Sequence, residues 1–107
     1  MNQGDVYWYS FHAPDKRRPV LILTRTPAIR FLPGITIAPI TSTIRGIPSE
    51  VVLTPADGLF NDCAVNFDNI QTVPKANLNT FITHLSATKL RAVRFAIEFA
   101  LGFDAIS

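Results

Sequence analysis

The sequence predicts a mainly β protein of the α+β class, a small antiparallel barrel or sandwich that ends in one α-helix. Two observations support this fold class. Short β-prone runs separated by turn residues, enough for five or six strands, occupy most of the first seventy or so residues. Near the end of the chain the apolar residues change to helical spacing. With 107 residues there is length for one core, so we expect residues 1–107 to form a single domain.

The first two predicted strands flank a basic loop. Residues 4–11, GDVYWYSF, are strongly β-prone. Residues 12–18, HAPDKRR, are polar and contain proline, which indicates a loop. Residues 19–24, PVLILT, have the composition of a buried strand with Pro19 at its first position, where proline is tolerated. The loop ends in three consecutive cations, Lys16, Arg17 and Arg18.

Further strands follow at short intervals. Residues 25–34 hold two prolines and a glycine and are expected to form a connection. Residues 35–43, ITIAPITST, predict the third strand and residues 51–54, VVLT, the fourth. Residues 63–73 predict one or two more. Turn-forming residues separate these runs at 45–50 and 55–58.

The C-terminal part predicts helix. Residues 74–85, PKANLNTFITHL, are interpreted as a short helix. A longer helix is expected between Ser86, a candidate N-cap, and Gly102, a typical stop residue. Its apolar residues recur every three or four positions, which places them on one stripe that packs against the barrel or a second subunit. The stripe consists of Leu90, Val93, Ile97 and Leu101.

Composition and charge point to partners. Hydrophobic residues make up 48% and charged residues 17% of the chain, a low charge for a small monomer, so a homo-oligomer is expected. Six basic and three acidic residues precede Thr54, whereas four basic and five acidic residues follow from there on. This asymmetry favours a phosphate-bearing or acidic partner in the first half. A solvated basic face without a ligand is the alternative.

The cysteine count and the hydropathy indicate location. Cys63 is the only cysteine, which excludes an internal disulfide and a cysteine-rich zinc site and is typical of a reducing cytoplasm. The N-terminal residues lack the basic lead and apolar run of a signal peptide. No apolar run approaches the roughly 20 residues of a membrane span. A cytoplasmic protein with no membrane partner is expected.

Candidate chemistry concentrates around the cations. The aspartates are scattered, so neither a metal site nor a cofactor is expected. His12 and His84 raise the alternative of an acid–base pair for RNA cleavage, although the sequence does not bring them together, and His12 alone is a candidate ligand contact. Arginine grips phosphate with two parallel hydrogen bonds. Arg18, together with the hydroxyls of Thr41, Ser42 and Thr43, therefore predicts a phosphate-binding groove.

The order of several short blocks resembles one protein family. GDVYWYSF, RRPVLILT, IAPITS, PSEVVL, DGLFNDCAVNFDNIQTV and a terminal helix beginning LSATKL are similar, in this order, to the MazF/PemK/Kid toxins of bacterial toxin–antitoxin pairs. The resemblance runs from Gly4 to about Gly102. No block is specific alone, and their order and spacing together are.

The resemblance implies a fold, an activity and partners. The fold is an SH3-like barrel with a C-terminal helix, and the protein is a homodimer. The activity is ribosome-independent, metal-independent cleavage of single-stranded RNA, and a cognate antitoxin is the protein partner. The 2′-hydroxyl attacks the adjacent phosphorus, which leaves a 2′,3′-cyclic phosphate and a 5′-hydroxyl.

The resemblance also assigns residues. Arg18, before Pro19, and Thr41, in the Pro-x-Thr step, match the family's catalytic positions. His12, Lys16, Arg17, Ser42 and Thr43 are expected to contact RNA.

Two departures concern specificity. The loop at residues 12–18 is short and has no glycine, and Gln71 replaces a basic residue that relatives often carry. Two alternatives remain at this point. The same barrel also hosts toxins that poison DNA gyrase by protein contact, and an inactive relative would bind RNA without turnover.

Overall fold

A computed structural model, which describes residues 1–11 and 17–106, has a main antiparallel sheet and a C-terminal helix. The seven strands of this part are β1 (Asp5–Ser10), β2 (Arg17–Ile22), β3 (Gly34–Thr41), β4 (Glu50–Leu53), β5 (Cys63–Asn66), β6 (Gln71–Pro74) and β7 (Leu78–His84). The α-helices are α1 (Thr26–Ile29) and α2 (Ala87–Leu101). Short 3-10 helices span Pro55–Asp57, Phe67–Asn69, Lys75–Asn77 and Phe103–Ala105.

The strands run in the order β4-β5-β3-β2-β1-β7, and β6 also pairs with β3. Every pairing is antiparallel. The long β3 has two neighbours on one side, because its first half pairs with β6 and its last two residues pair with β5. The predicted α+β class and antiparallel sheet are confirmed. The sheet stays open between β4 and β7 instead of closing into a barrel.

Two apolar clusters cover the two faces of the sheet, because successive side chains of a strand point in opposite directions. Leu21 belongs to the first cluster with Val6, Ala38 and Ile40, and Val93 and Ala96 of α2 pack into it. Its neighbours in β2 belong to the second cluster, whose buried members are Tyr9, Val20, Ile22, Ile29, Ile35, Ile37, Val73 and Leu78.

Helix α2 begins and ends where the sequence predicts. The Lys89 backbone N–H donates to Ser86 Oγ at 3.2 Å, and Gly102 takes φ 80° at the C-terminal end. Val93 is buried on the predicted stripe, but Leu101 is 56% exposed. Each residue turns a helix by about 100°, so a repeat of four drifts by about 40° per step and carries Leu101 off the buried face.

One predicted element and one predicted boundary differ from the structure. Residues 74–85 hold the strand β7, not a helix, because pairing with β1 satisfies the backbone of this segment and outweighs its local preference. Strand β2 begins at Arg17, so the loop predicted at residues 12–18 is wrong at its end and Pro19 is the third strand residue. The rest of that predicted loop lies outside the described residues. In the described part of the chain, no helix is long and apolar enough to cross a membrane.

Candidate active site

The two residues assigned to catalysis occupy corresponding ends of neighbouring strands. Arg18 is exposed near the start of β2 and lies opposite Tyr9 of β1. Thr41 is half-buried at the last position of β3. The β2–β3 pairing runs from Ile22↔Ile37 to Val20↔Pro39 and stops there, with Arg18 two residues before Val20 and Thr41 two residues after Pro39. The fold therefore carries both residues to one edge of the sheet.

Pro19 explains why the β2–β3 ladder stops just before this edge, and Pro39 lies on the other side of β3. The Leu23 N–H donates to the Thr36 carbonyl at 2.9 Å, so alternation turns the backbone of Pro19 towards β3, beyond the last paired residue. Pro39 faces the other side, in the gap between the β3–β6 pairing, which ends at Ile37, and the β3–β5 pairing, which begins at Ile40. Each proline thus lies where its missing N–H leaves no ladder bond unmade.

Alternation separates the two adjacent arginines. Arg17 and Ser42 line a cavity of about 240 Å³ on the face of the first cluster, together with Trp8 and Phe60. Arg18 points to the opposite face, the one that carries Tyr9 and Val20. The sequence suggested that Arg17 belongs with the flexible side of a cationic loop. In the structure it is a strand residue on the face opposite to Arg18.

The hydroxyls stand where the sequence placed them, at the end of β3. Thr41 Oγ1 accepts a hydrogen bond from the Thr43 backbone N–H at 3.2 Å, which leaves the hydroxyl proton of Thr41 to donate elsewhere. Ser42 and Thr43 are exposed beyond it. Two other predicted contacts, His12 and Lys16, lie outside the described residues.

A buried carboxylate fixes the loop that carries these hydroxyls. Glu50 Oε1 accepts from the backbone N–H groups of Arg45 at 3.0 Å and Gly46 at 3.2 Å. The Glu50 side chain is 1% exposed, and Arg45 Nε approaches its Oε2 at 3.9 Å. Ser49 beside it donates to Asp68 at 2.6 Å. The β3–β4 loop is therefore held at both its backbone and its side chains.

The second histidine takes no part in this edge. His84 Nδ1 lies 2.8 Å from Asp5 Oδ1, and the two residues are in register between β7 and β1. Tyr9, opposite Arg18, is four residues along β1 from Asp5, which corresponds to about 13 Å of strand. The described residues thus give no support to a two-histidine site that includes His84.

Among the described residues, Tyr7 and Cys63 have raised pKa values. Burial, and then the Asp5 carboxylate, raises the pKa of Tyr7. Burial raises the pKa of the Cys63 thiol, and the carboxylates of Asp57 and Asp62 add to the effect. Cys63 is therefore a protonated wall of the cavity beside Trp8, not a nucleophile.

Several residues of this edge are not indicated by the sequence motifs. Trp8, Phe60, Asn61 and Asp62 line the cavity beside Arg17, and Glu50 anchors the loop. One signal in the sequence is Phe60, an aromatic residue inside the otherwise polar turn DGLFND. A solvated loop does not require an aromatic side chain, so its presence indicates a contact or a binding surface. Across residues 1–11 and 17–106, no three His, Cys, Asp or Glu side chains form a group suited to a metal ion.

An open antiparallel sheet, a C-terminal helix and, at one end of the sheet, an exposed arginine and a threonine hydroxyl define a small α+β protein. Comparison with known proteins is more specific. The model of the PemK-like, MazF-like toxins of type II toxin–antitoxin systems matches residues 2–101, and the chain belongs to this family.

Its relatives agree in sequence and in structure. The chain is 42% identical to Endoribonuclease MazF3 of Mycobacterium tuberculosis over 90 residues. This alignment covers 84% of this chain and 87% of the relative. It superposes on the M. tuberculosis toxin MazF-mt6 with a TM-score of 0.85 and 38% identity, covering 92% and 96% of the two chains. A mycobacterial endoribonuclease solved in complex with its cognate antitoxin gives a TM-score of 0.84 at 27% identity, with 95% of each chain covered.

Proposed function

We propose that the protein is the toxin of a type II toxin–antitoxin system and acts as a ribosome-independent endoribonuclease on single-stranded RNA, including mRNA. The observation that carries the proposal is the antiparallel β2–β3 register, which brings the start of β2, with Arg18, beside the end of β3, with Thr41. Membership of the PemK-like, MazF-like family and the endoribonuclease names of close relatives support it.

The proposed reaction is a transesterification within the RNA. The 2′-oxygen forms a bond to the adjacent phosphorus while the bond from phosphorus to the 5′-oxygen breaks. The 2′-hydroxyl loses its proton and the leaving 5′-oxygen gains one, so the products are a 2′,3′-cyclic phosphate and a 5′-hydroxyl. The positively charged guanidinium of Arg18 stabilises the charge that grows on the non-bridging oxygens. Thr41 donates its free hydroxyl proton to the same phosphate.

The remaining predicted residues bind the RNA in this proposal. Arg17, Ser42 and Thr43 surround the edge and contact the nucleotides that flank the reacting phosphate. His12 and Lys16 extend the contact on the N-terminal side of β2. No metal ion and no cofactor are needed for this chemistry, since the nucleophile is supplied by the RNA.

The partners follow from the family and from the surface. A cognate antitoxin binds the toxin and neutralises it, as expected for a type II system. A homodimer is supported by the exposed Phe95, Phe99 and Phe103 along and after α2. We place the protein in the cytoplasm, where its RNA substrate resides, and treat residues 1–107 as one toxin domain.

Incubation of the purified protein with a long single-stranded RNA in EDTA tests the activity. We expect cleavage at short recurring sequences, with 5′-hydroxyl and cyclic phosphate ends on mapping. RNA that stays intact, or that is cut only after divalent metal is added, would contradict the proposal. Intact RNA together with loss of DNA supercoiling by gyrase would favour the gyrase-poison alternative instead.

A further inference from the structure

The cavity beside Arg17 has the make-up of a stacking site. The Arg17 guanidinium lies 4.6 Å from the centre of the Trp8 ring, and the Trp8 and Phe60 rings stack at 5.7 Å with 20° between their planes. Phe60 lies in a polar turn and leaves 65% of its surface exposed, which is unusual for an aromatic side chain. Exposed aromatic faces next to an arginine are the usual platform for bases of single-stranded nucleic acids.

The size and charge of the cavity favour a base over a phosphate. Its volume of about 240 Å³ lies below the ~300 Å³ at which pockets for drug-sized ligands begin, so it suits one flat ring. Asp62 lines it, and a carboxylate repels phosphate oxygens. The same carboxylate accepts hydrogen bonds from amino groups, and the amide of the adjacent Asn61 can both donate and accept.

The cavity is also correctly placed relative to the reacting phosphate. Ser42 lines it and directly follows Thr41, and Arg17 directly precedes Arg18. Consecutive residues are 3.8 Å apart at Cα and point to opposite faces. An RNA strand that crosses this edge can therefore present its phosphate to Arg18 and Thr41 while an adjoining base turns into the cavity.

We propose that the cavity bounded by Trp8, Phe60, Arg17 and Asp62 binds one base next to the cleaved phosphate and selects bases that carry an amino group over uracil. The proposal rests on the proposed function and adds a determinant of substrate choice. Cytosine, adenine and guanine each offer amino hydrogens to Asp62. Uracil presents carbonyl oxygens on either side of its single N–H, and these repel the carboxylate.

Trp8 is the only tryptophan of the chain, so its fluorescence reports on this cavity directly. The probes are short single-stranded oligo(dC), oligo(dA) and oligo(dU), compared at one salt concentration because phosphate contacts are salt-dependent. They lack the 2′-hydroxyl and therefore bind without being cleaved. We expect quenching of Trp8, with oligo(dC) and oligo(dA) bound about 5- to 150-fold more tightly than oligo(dU).

Two variants test the two parts of the site. Phe60→Leu keeps an apolar side chain but removes the ring, and should weaken oligo(dC) binding about 5- to 150-fold. Asp62→Asn should reduce the preference over oligo(dU) to about twofold, since an amide can also pair with uracil. Phe31→Leu is the matched control, because Phe31 is 75% exposed and packs on Arg30 away from the cavity.

The outcomes separate the two proposals. Equal binding of the three probes, or variants that bind like the wild type, would overturn the base site while RNA cleavage still stands. If the wild-type protein leaves RNA intact but shows the base preference, the base site stands and the nuclease does not. On RNA, Asp62→Asn should admit uracil at one position of the mapped cleavage motif, and an unchanged motif would again overturn the site.

Discussion

Removal of the two adjacent arginines of β2 should have different consequences, because alternation points them to opposite faces of the sheet. Arg18→Ala removes a charge from the edge shared with Thr41 and should lower kcat. Arg17→Ala removes a charge from the cavity that holds Trp8 and should raise KM. A uniform basic patch would make the two variants alike.

The structure sets the size of the Arg18 effect. A unit charge at 4 Å from another is worth about 1 kcal/mol in water and about 4 kcal/mol near a protein surface. Arg18 is exposed, which favours the lower part of the ~2.7–4 kcal/mol lost when one oxyanion donor is removed. About 2.7 kcal/mol corresponds to a hundredfold fall in kcat. Because the side chain is exposed, the free energy of unfolding should change by less than about 0.5 kcal/mol.

Arg17→Ala serves as the matched variant. Its stacking on Trp8 is worth about 0.5–1 kcal/mol at an exposed site, so Arg17→Ala should raise KM about two- to fivefold. Cleavage of a short labelled RNA, followed as a function of RNA and salt concentration, separates kcat from KM. If Arg18→Ala left kcat unchanged, or if both variants lowered kcat equally, the division of roles by strand alternation would be refuted.

Three other predictions concern the scaffold. Glu50→Ala leaves the two loop N–H groups without their acceptor. Urea unfolding should show a free energy of unfolding lower by about 1–3 kcal/mol, and RNA cleavage should be slower. An unchanged unfolding midpoint would show that other contacts hold the loop. Because the pKa of Cys63 is raised in the native state, there is a pH range in which the unfolded thiol ionises and the native thiol stays protonated. The free energy of unfolding should therefore fall as pH rises above ~8.5. Cys63→Ala should make this fall smaller. Gly58→Ala and Gly46→Ala both place a side chain on a residue with positive φ, which costs about 1–2 kcal/mol of strain. Of the two positions, only Gly58 has an atom close to the new Cβ, a threonine hydroxyl oxygen at 2.5 Å. Gly58→Ala should therefore show the larger drop in Tm, and equal drops would show that crowding against this threonine is not the cause.

The sequence was sufficient for features that depend on local chemistry. Ser86 and Gly102 bound α2 because capping is a property of single residues and their neighbours. The Arg-Pro and Pro-x-Thr motifs identified the candidate catalytic pair because both short motifs occur along the chain in the order found in the family. Their assignment to catalysis stays a prediction.

Features that depend on pairing could not be predicted in this way. β7 was interpreted as a helix because only its register with β1 makes it a strand. The start of β2 at Arg17 also depends on a partner, since Arg17 pairs with Ser10 of β1. Because that start was missed, the opposite orientation of Arg17 and Arg18 was missed too, and with it the cavity that Trp8 and Phe60 form.

The proline at position 19 affects how reliably β2 aligns with its neighbours during folding. A slip of β2 by one residue along β3 would send every side chain of β2 to the other face and exchange Arg17 with Arg18. In the native alignment Pro19 turns towards β3 just beyond the last paired residue, so its missing N–H leaves no ladder bond unmade. A slip of β2 by one residue would turn Pro19 towards β1 instead, within a ladder that needs an N–H at each facing position. Pro19 thus acts against a misaligned product in which Arg17 and Arg18 have exchanged faces.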